Sequence, residues 1–68
     1  MAGIYKITEL VGTSPVSFAE ATKAAVAEAA KTIRNMEWFE VARESGRIKD
    51  GKVAEFQVTL KIGFKIER

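Results

Sequence analysis

Cysteine and histidine are both absent from this 68-residue chain, which removes disulfide bonds and most metal chemistry from consideration. A domain of this size hides only about 60% of the surface that its unfolded chain exposes. Small domains compensate with disulfides, a metal or self-association, and of these only self-association is left. Long apolar runs are missing too: none approaches the ~18 residues of a membrane span. The opening Met1-Ala2-Gly3-Ile4 lacks the charged and apolar regions of a signal peptide, so a cytoplasmic protein without a membrane partner is expected. Charge of one sign is also scarce. The 11 Lys and Arg are interspersed with 9 acidic residues for a net charge of +2, leaving no basic stripe of the kind a nucleic-acid partner requires.

What is present points to a folded chain. An apolar fraction of 47% and a charged fraction of 29% are those of a globular protein, and a single domain over residues 1–68 is expected. From Ile4 to Val11, Tyr5, Ile7, Glu9 and Val11 alternate with Ile4, Lys6, Thr8 and Leu10, which predicts a strand. Gly12-Thr13-Ser14-Pro15 then reads as a break, because Gly and Pro punctuate regular structure and the residue before Pro avoids the helical region. Ser17 followed by Glu20 is a capping box. It predicts a helix running to about Met36, with Phe18, Ala21, Ala25, Ala29, Ile33 and Met36 on its apolar face.

Beyond Trp38 the chain reads as two strands joined at Asp50-Gly51, a strong tight-turn signal. Phe56, Val58, Leu60, Ile62, Phe64 and Ile66 alternate with Gln57, Thr59, Lys61, Gly63, Lys65 and Glu67, giving one buried and one polar face. The elements differ in length. A strand from Val53 to Glu67 would span ~50 Å, whereas a helix of about 20 residues spans ~30 Å. The helix therefore leaves apolar strand surface for other copies of the chain to cover.

A two-residue turn without bulges pairs residues whose numbers sum to 101. Phe39 then faces Ile62 and Val41 faces Leu60 in the core, Glu40 faces Lys61 as an ion pair, and Trp38 faces Gly63. Trp38 and Gln57 fall on the face away from the helix. A large aromatic opposite a bare glycine can serve as a stacking platform, and Gln57 carries both donors and an acceptor suited to a heterocycle edge. The plainer alternatives are an interface or core role for Trp38 and a solvated one for Gln57. The two positions are ~20 Å apart along the strands, so a shared site needs different copies of the chain unless a bulge near Ser45-Gly46 alters the register. Arg43 and Arg47, by strict alternation, fall on the face opposite Trp38.

Other constellations carry little chemistry. Gly12-Thr13-Ser14-Pro15 lacks the spacing of a phosphate loop. Glu37, Glu40 and Glu44 have no histidine or cysteine beside them, so an enzyme is not expected.

The segments Glu9-Leu10-Val11-Gly12-Thr13-Ser14, Met36-Glu37, Trp38-Phe39-Glu40-Val41, Asp50-Gly51 and Phe56-Gln57-Val58-Thr59-Leu60-Lys61-Ile62-Gly63-Phe64 together resemble the dodecin family over nearly the whole chain. The resemblance implies an α+β fold of strand–helix–strand–strand order, its three-stranded antiparallel sheet partly wrapped around one helix, assembled as a hollow homododecamer. It also implies a flavin store: riboflavin or FMN bound as stacked pairs between symmetry-related Trp38 side chains, with Gln57 on the ring edges. Ser45 stands where many bacterial dodecins carry an arginine that meets a flavin phosphate. Some family members hold coenzyme A, whose phosphates Lys6 and Lys65 could meet. The alternative is a structural or ion-binding shell of the same kind without flavin.

Overall fold

A computed structural model describes residues 3–66. Met1, Ala2 and Glu67, used in the sequence reading, lie outside the described residues. The order is strand, helix, strand, strand: β1 (Tyr5–Ser14), α1 (Phe18–Ala29), β2 (Met36–Lys49) and β3 (Lys52–Lys65). The three strands form one antiparallel sheet in the order β1-β3-β2. The sequence places β3 at the centre because it holds the longest uninterrupted apolar alternation, and Val58, Leu60 and Ile62 are its fully buried side chains.

β1 continues past the expected break. Gly12, Thr13 and Ser14 pair with Val58, Gln57 and Phe56, and the strand ends only before Pro15. Gly12 is in the strand because the helix passes directly over it. A Cβ there would collide with the Ala21 carbonyl oxygen and lie 2.7 Å from the Ala25 Cβ. Ala21 and Ala25 are buried against Val58 and Leu60, with Leu10, Phe18 and Val26 packed around them. Small residues on both sides thus set a close helix–sheet approach. Gly12→Ala is expected to lift the helix and destabilise the fold by about 1–3 kcal/mol. Thermal unfolding checks this, and an unchanged midpoint would contradict the close approach.

The helix begins as expected and ends early. Ser17 has extended backbone angles and its hydroxyl accepts from the Glu20 N–H. The Ser14 hydroxyl, buried beneath the turn, accepts from the Val16 N–H at 2.9 Å. Helix α1 stops at Ala29, not near Met36. Its last turn tightens, with the Lys31 and Thr32 N–H groups donating to the carbonyls of Glu28 and Ala29. Asn35 then adopts a left-handed φ of 63°, which a short polar side chain tolerates, and its carbonyl accepts from the Lys65 N–H. Met36 is consequently the first residue of β2.

The shorter helix sharpens the length mismatch. Twelve helical residues span ~18 Å, against ~46 Å for each 14-residue strand of the hairpin. The molecule extends over 54 × 20 × 13 Å with a radius of gyration of 14.1 Å, where a compact chain of this length would have about 11 Å. Phe39 and Val41, expected in the core, instead remain exposed along the hairpin with Ile48 and Val53, because the short helix does not reach over them. Beside Phe39 lies an open apolar trough against Ala19, Thr22 and Val26.

The hairpin turn is the one predicted. Asp50 and Gly51 have φ of 53° and 75°, the left-handed pair of a type I′ turn. The expected pairs Trp38–Gly63, Phe39–Ile62, Glu40–Lys61 and Val41–Leu60 all occur, but not because the ladder is regular. An extra residue on β3, Ala54, shifts the register, and an extra residue on β2, Ala42, restores it. Between the two, Arg43 faces Thr59, Ser45 faces Gln57 and Arg47 faces Glu55. Glu40 and Lys61 stand opposite each other, whereas the ion pairs described are Lys23–Glu20, Lys31–Glu28 and Arg47–Glu55.

Candidate functional site

The face of the sheet away from the helix carries the candidate residues. Trp38 sits opposite Gly63 immediately after an extra residue, Glu37, in β2. Its ring lies across the glycine backbone: a Cβ on Gly63 would overlap Cζ2, Cη2 and Cε2 of the indole. The room left by the missing side chain is therefore filled by the tryptophan. Tyr5, whose partner on β3 is Lys65, abuts the indole edge-on, with centroids 5.4 Å apart and planes at 67°. Trp38 is still 38% exposed. An indole braced from below and from one side while open to solvent is a fixed aromatic surface that a flat ligand can cover.

Gln57 lies six residues from Gly63 on β3, about 20 Å away, and the structure does not bring it to Trp38 within one chain. It brings Ser45 and Gln57 together instead. The Ser45 hydroxyl donates to Gln57 Oε1 at 3.1 Å, and Gln57 Nε2 donates to Glu55 Oε1 at 3.0 Å. Arg47 Nε approaches the same Glu55 oxygen at 3.6 Å. One acceptor lone pair on Oε1 and one N–H on Nε2 are left for a ligand.

The extra residue at Ala42 overturns one expectation. Alternation put Arg43 and Arg47 on the face opposite Trp38, but the bulge reverses the parity of the residues after it. Arg43, Ser45 and Arg47 share the face of Thr59, Gln57 and Glu55, and hence that of Trp38. Arg47 is engaged with Glu55. Arg43 is exposed beside Ser45, so cationic charge is present on the ligand face although position 45 supplies none.

Lys6 and Lys65 pair with Phe64 and Tyr5 respectively, on opposite faces of the sheet. Both nevertheless border a hollow of about 400 Å³ at the end of the molecule, together with Arg34, Asn35 and Ile66. Sequence reasoning missed Tyr5 and Glu55 as parts of the site face. Tyr5 would have followed from the β1–β3 register, and Glu55 from its position two residues before Gln57.

Known proteins resemble this chain over nearly its whole length. The family model described as Dodecin matches residues 4–67. A Thermus thermophilus protein named Dodecin is 46% identical over 67 residues, covering 98% of this chain and 97% of that protein. The solved structure of dodecin from Streptomyces coelicolor is 47% identical with a TM-score of 0.94, covering 97% of this chain and 94% of that chain. A more distant structure, the calcium dodecin of Mycobacterium tuberculosis, is 26% identical with a TM-score of 0.81, covering 94% of this chain and 91% of that one. The chain belongs to the dodecin family, whose proteins in general bind flavin and assemble as homo-oligomers.

Proposed function

We propose that this protein stores and quenches riboflavin or FMN as stacked pairs held between Trp38 side chains of neighbouring copies in a hollow homododecamer. The observation that carries the reading is the braced, exposed indole of Trp38 on Gly63, on the same face as Gln57 but too far from it to grip one ring in a single chain. Neighbouring copies then supply what one chain cannot bring together. The exposed apolar residues of the hairpin and the trough beside Phe39 give those copies surface to bury.

The chemistry of the residues fits a flat heterocycle. The indole offers an electron-rich face for offset stacking, and contact with it quenches an excited flavin. The remaining lone pair and N–H of Gln57 match a ring edge that alternates N–H and carbonyl groups. A ring stacked on both sides has no open face for a substrate, so the role is storage and protection, not catalysis. The store belongs in the cytoplasm; no described helix is long and apolar enough to cross a membrane. Lys6 and Lys65, at the rim of the terminal hollow, are the residues that would meet coenzyme A phosphates.

Arg43 distinguishes the two flavins. It is the cation beside Ser45 without a partner among the described residues, and a phosphate can pair with it whereas a ribityl hydroxyl gains little from it. Arg43→Ala is expected to weaken FMN binding about three- to tenfold while leaving riboflavin affinity unchanged. Parallel titrations at moderate salt check this, and equal losses for both flavins would remove Arg43 from the phosphate.

The alternative is a shell that binds ions or serves only as structure, as the name of the calcium dodecin illustrates. Among the described residues, no group of three or more acidic side chains gathers around a common point. Fluorescence titration separates the readings. Riboflavin emission should be quenched nearly to completion, saturating at about one flavin per chain, and unquenched emission over an intact particle would favour the shell.

A further inference from the structure

We infer that Ser45 and Glu55 fix the polarity of the Gln57 amide before a ligand arrives, which makes Ser45 a positioning residue for recognition of the flavin ring edge; this rests on the flavin reading above. The terminal torsion of a glutamine is broad and roughly two-fold, so an unrestrained amide presents its oxygen or its nitrogen at either position. Here both ends are engaged. Glu55, as a carboxylate, can only accept, so the end of Gln57 facing it must be the NH2 group, as the 3.0 Å contact has it. The other end is then the carbonyl, and the Ser45 hydroxyl donates to it at 3.1 Å. Arg47 holds Glu55 at the far end of this chain of contacts.

The backbone is built to make this pairing. With a regular ladder Gln57 would face Glu44, a second acceptor-only group on the neighbouring strand. The extra residues at Ala54 and Ala42 bracket the shifted stretch, and within it Ser45 faces Gln57 and Arg47 faces Glu55. Bulges of this kind re-aim side chains beside functional sites. A glutamine loses substantial rotamer freedom when it is ordered; an amide ordered beforehand loses less on binding. An arginine at position 45 would place a cation here and remove the hydroxyl. In this chain the residue at 45 therefore acts on the ring through Gln57.

The test combines riboflavin and FMN titrations with side-chain amide relaxation by NMR on the ligand-free assembled protein. Ser45→Ala should weaken both flavins by the same factor, about three- to tenfold, because the ring edge is common to both, and Ser45→Thr should restore the affinity. In a Gln57→Ala background Ser45→Ala should have no further effect. In the ligand-free protein the Gln57 amide should be ordered in the native chain and mobile in Ser45→Ala. A loss confined to FMN, a loss undiminished in the Gln57→Ala background, or equal amide mobility in both proteins would overturn the inference. Native binding of normal strength that Ser45→Ala leaves unchanged would overturn this inference alone, whereas failure of the native protein to bind either flavin would overturn the flavin reading and this role together.

Discussion

Trp38→Ala should abolish the quenching of bound flavin and weaken flavin binding about ten- to a hundredfold, with the mass of the oligomer unchanged. The size follows from stacking, which contributes about 1–3 kcal/mol for each flat ring laid on an aromatic side chain. The selectivity follows from position. The indole lies on the face away from the helix, over Gly63 and against Tyr5, while the core is built from Ala21, Ala25, Val58 and Leu60 on the other face. Removing the ring uncovers a glycine and a tyrosine edge without opening the core. Emission titration with sedimentation on the same sample checks both parts, and native affinity in the variant would reject the stacking assignment.

A second large effect is expected from a residue that need not touch the ligand. Gly63→Ala adds a single methyl group, but it occupies the space of three indole ring atoms. The sheet backbone is held by β1 on one side and β2 on the other, so the ring is the part that moves. Lifted from the sheet and away from Tyr5, it no longer presents the same plane, and flavin binding should fall to a level near that of Trp38→Ala. The near-ultraviolet circular dichroism of Trp38, the only tryptophan, should change in the ligand-free protein. The double variant should be no worse than Trp38→Ala alone, because both changes remove the same platform. Native binding by Gly63→Ala would show that the glycine does not set the ring position.

Much of this was legible in the sequence. The Asp50-Gly51 turn, the alternation from Phe56 to Ile66 and the placing of Trp38 against Gly63 are local signals, and local signals survive into the sheet. The register near Trp38 came out right although its premise of an unbroken ladder did not hold: Ala54 and Ala42 shift the pairing by one residue in opposite senses. Alanine announces a bulge no better than any other residue, so strict alternation puts Arg43 and Arg47, within the stretch between them, on the wrong face.

The helix end and the length of β1 were hidden for tertiary reasons. Apolar spacing through Ile33 and Met36 continues the helical period, but Asn35 turns the chain and Met36 pairs with Phe64. Gly12 resembles a break because the cause of its lack of a side chain, the passage of Ala21 and Ala25 above it, is remote in sequence. The partnership of Ser45 with Gln57 was illegible for the same reason as the bulges. It exists only where the register is shifted.

The central claim is that the site is made between copies, with flavins taken in pairs. Native mass spectrometry of the protein with increasing riboflavin tests it most directly. The account predicts a particle of twelve chains that takes up as many as twelve flavins, filling by twos, and loses them when the particle is dissociated. Single chains that bind riboflavin unaided, or a twelve-chain particle that takes up none, would contradict it.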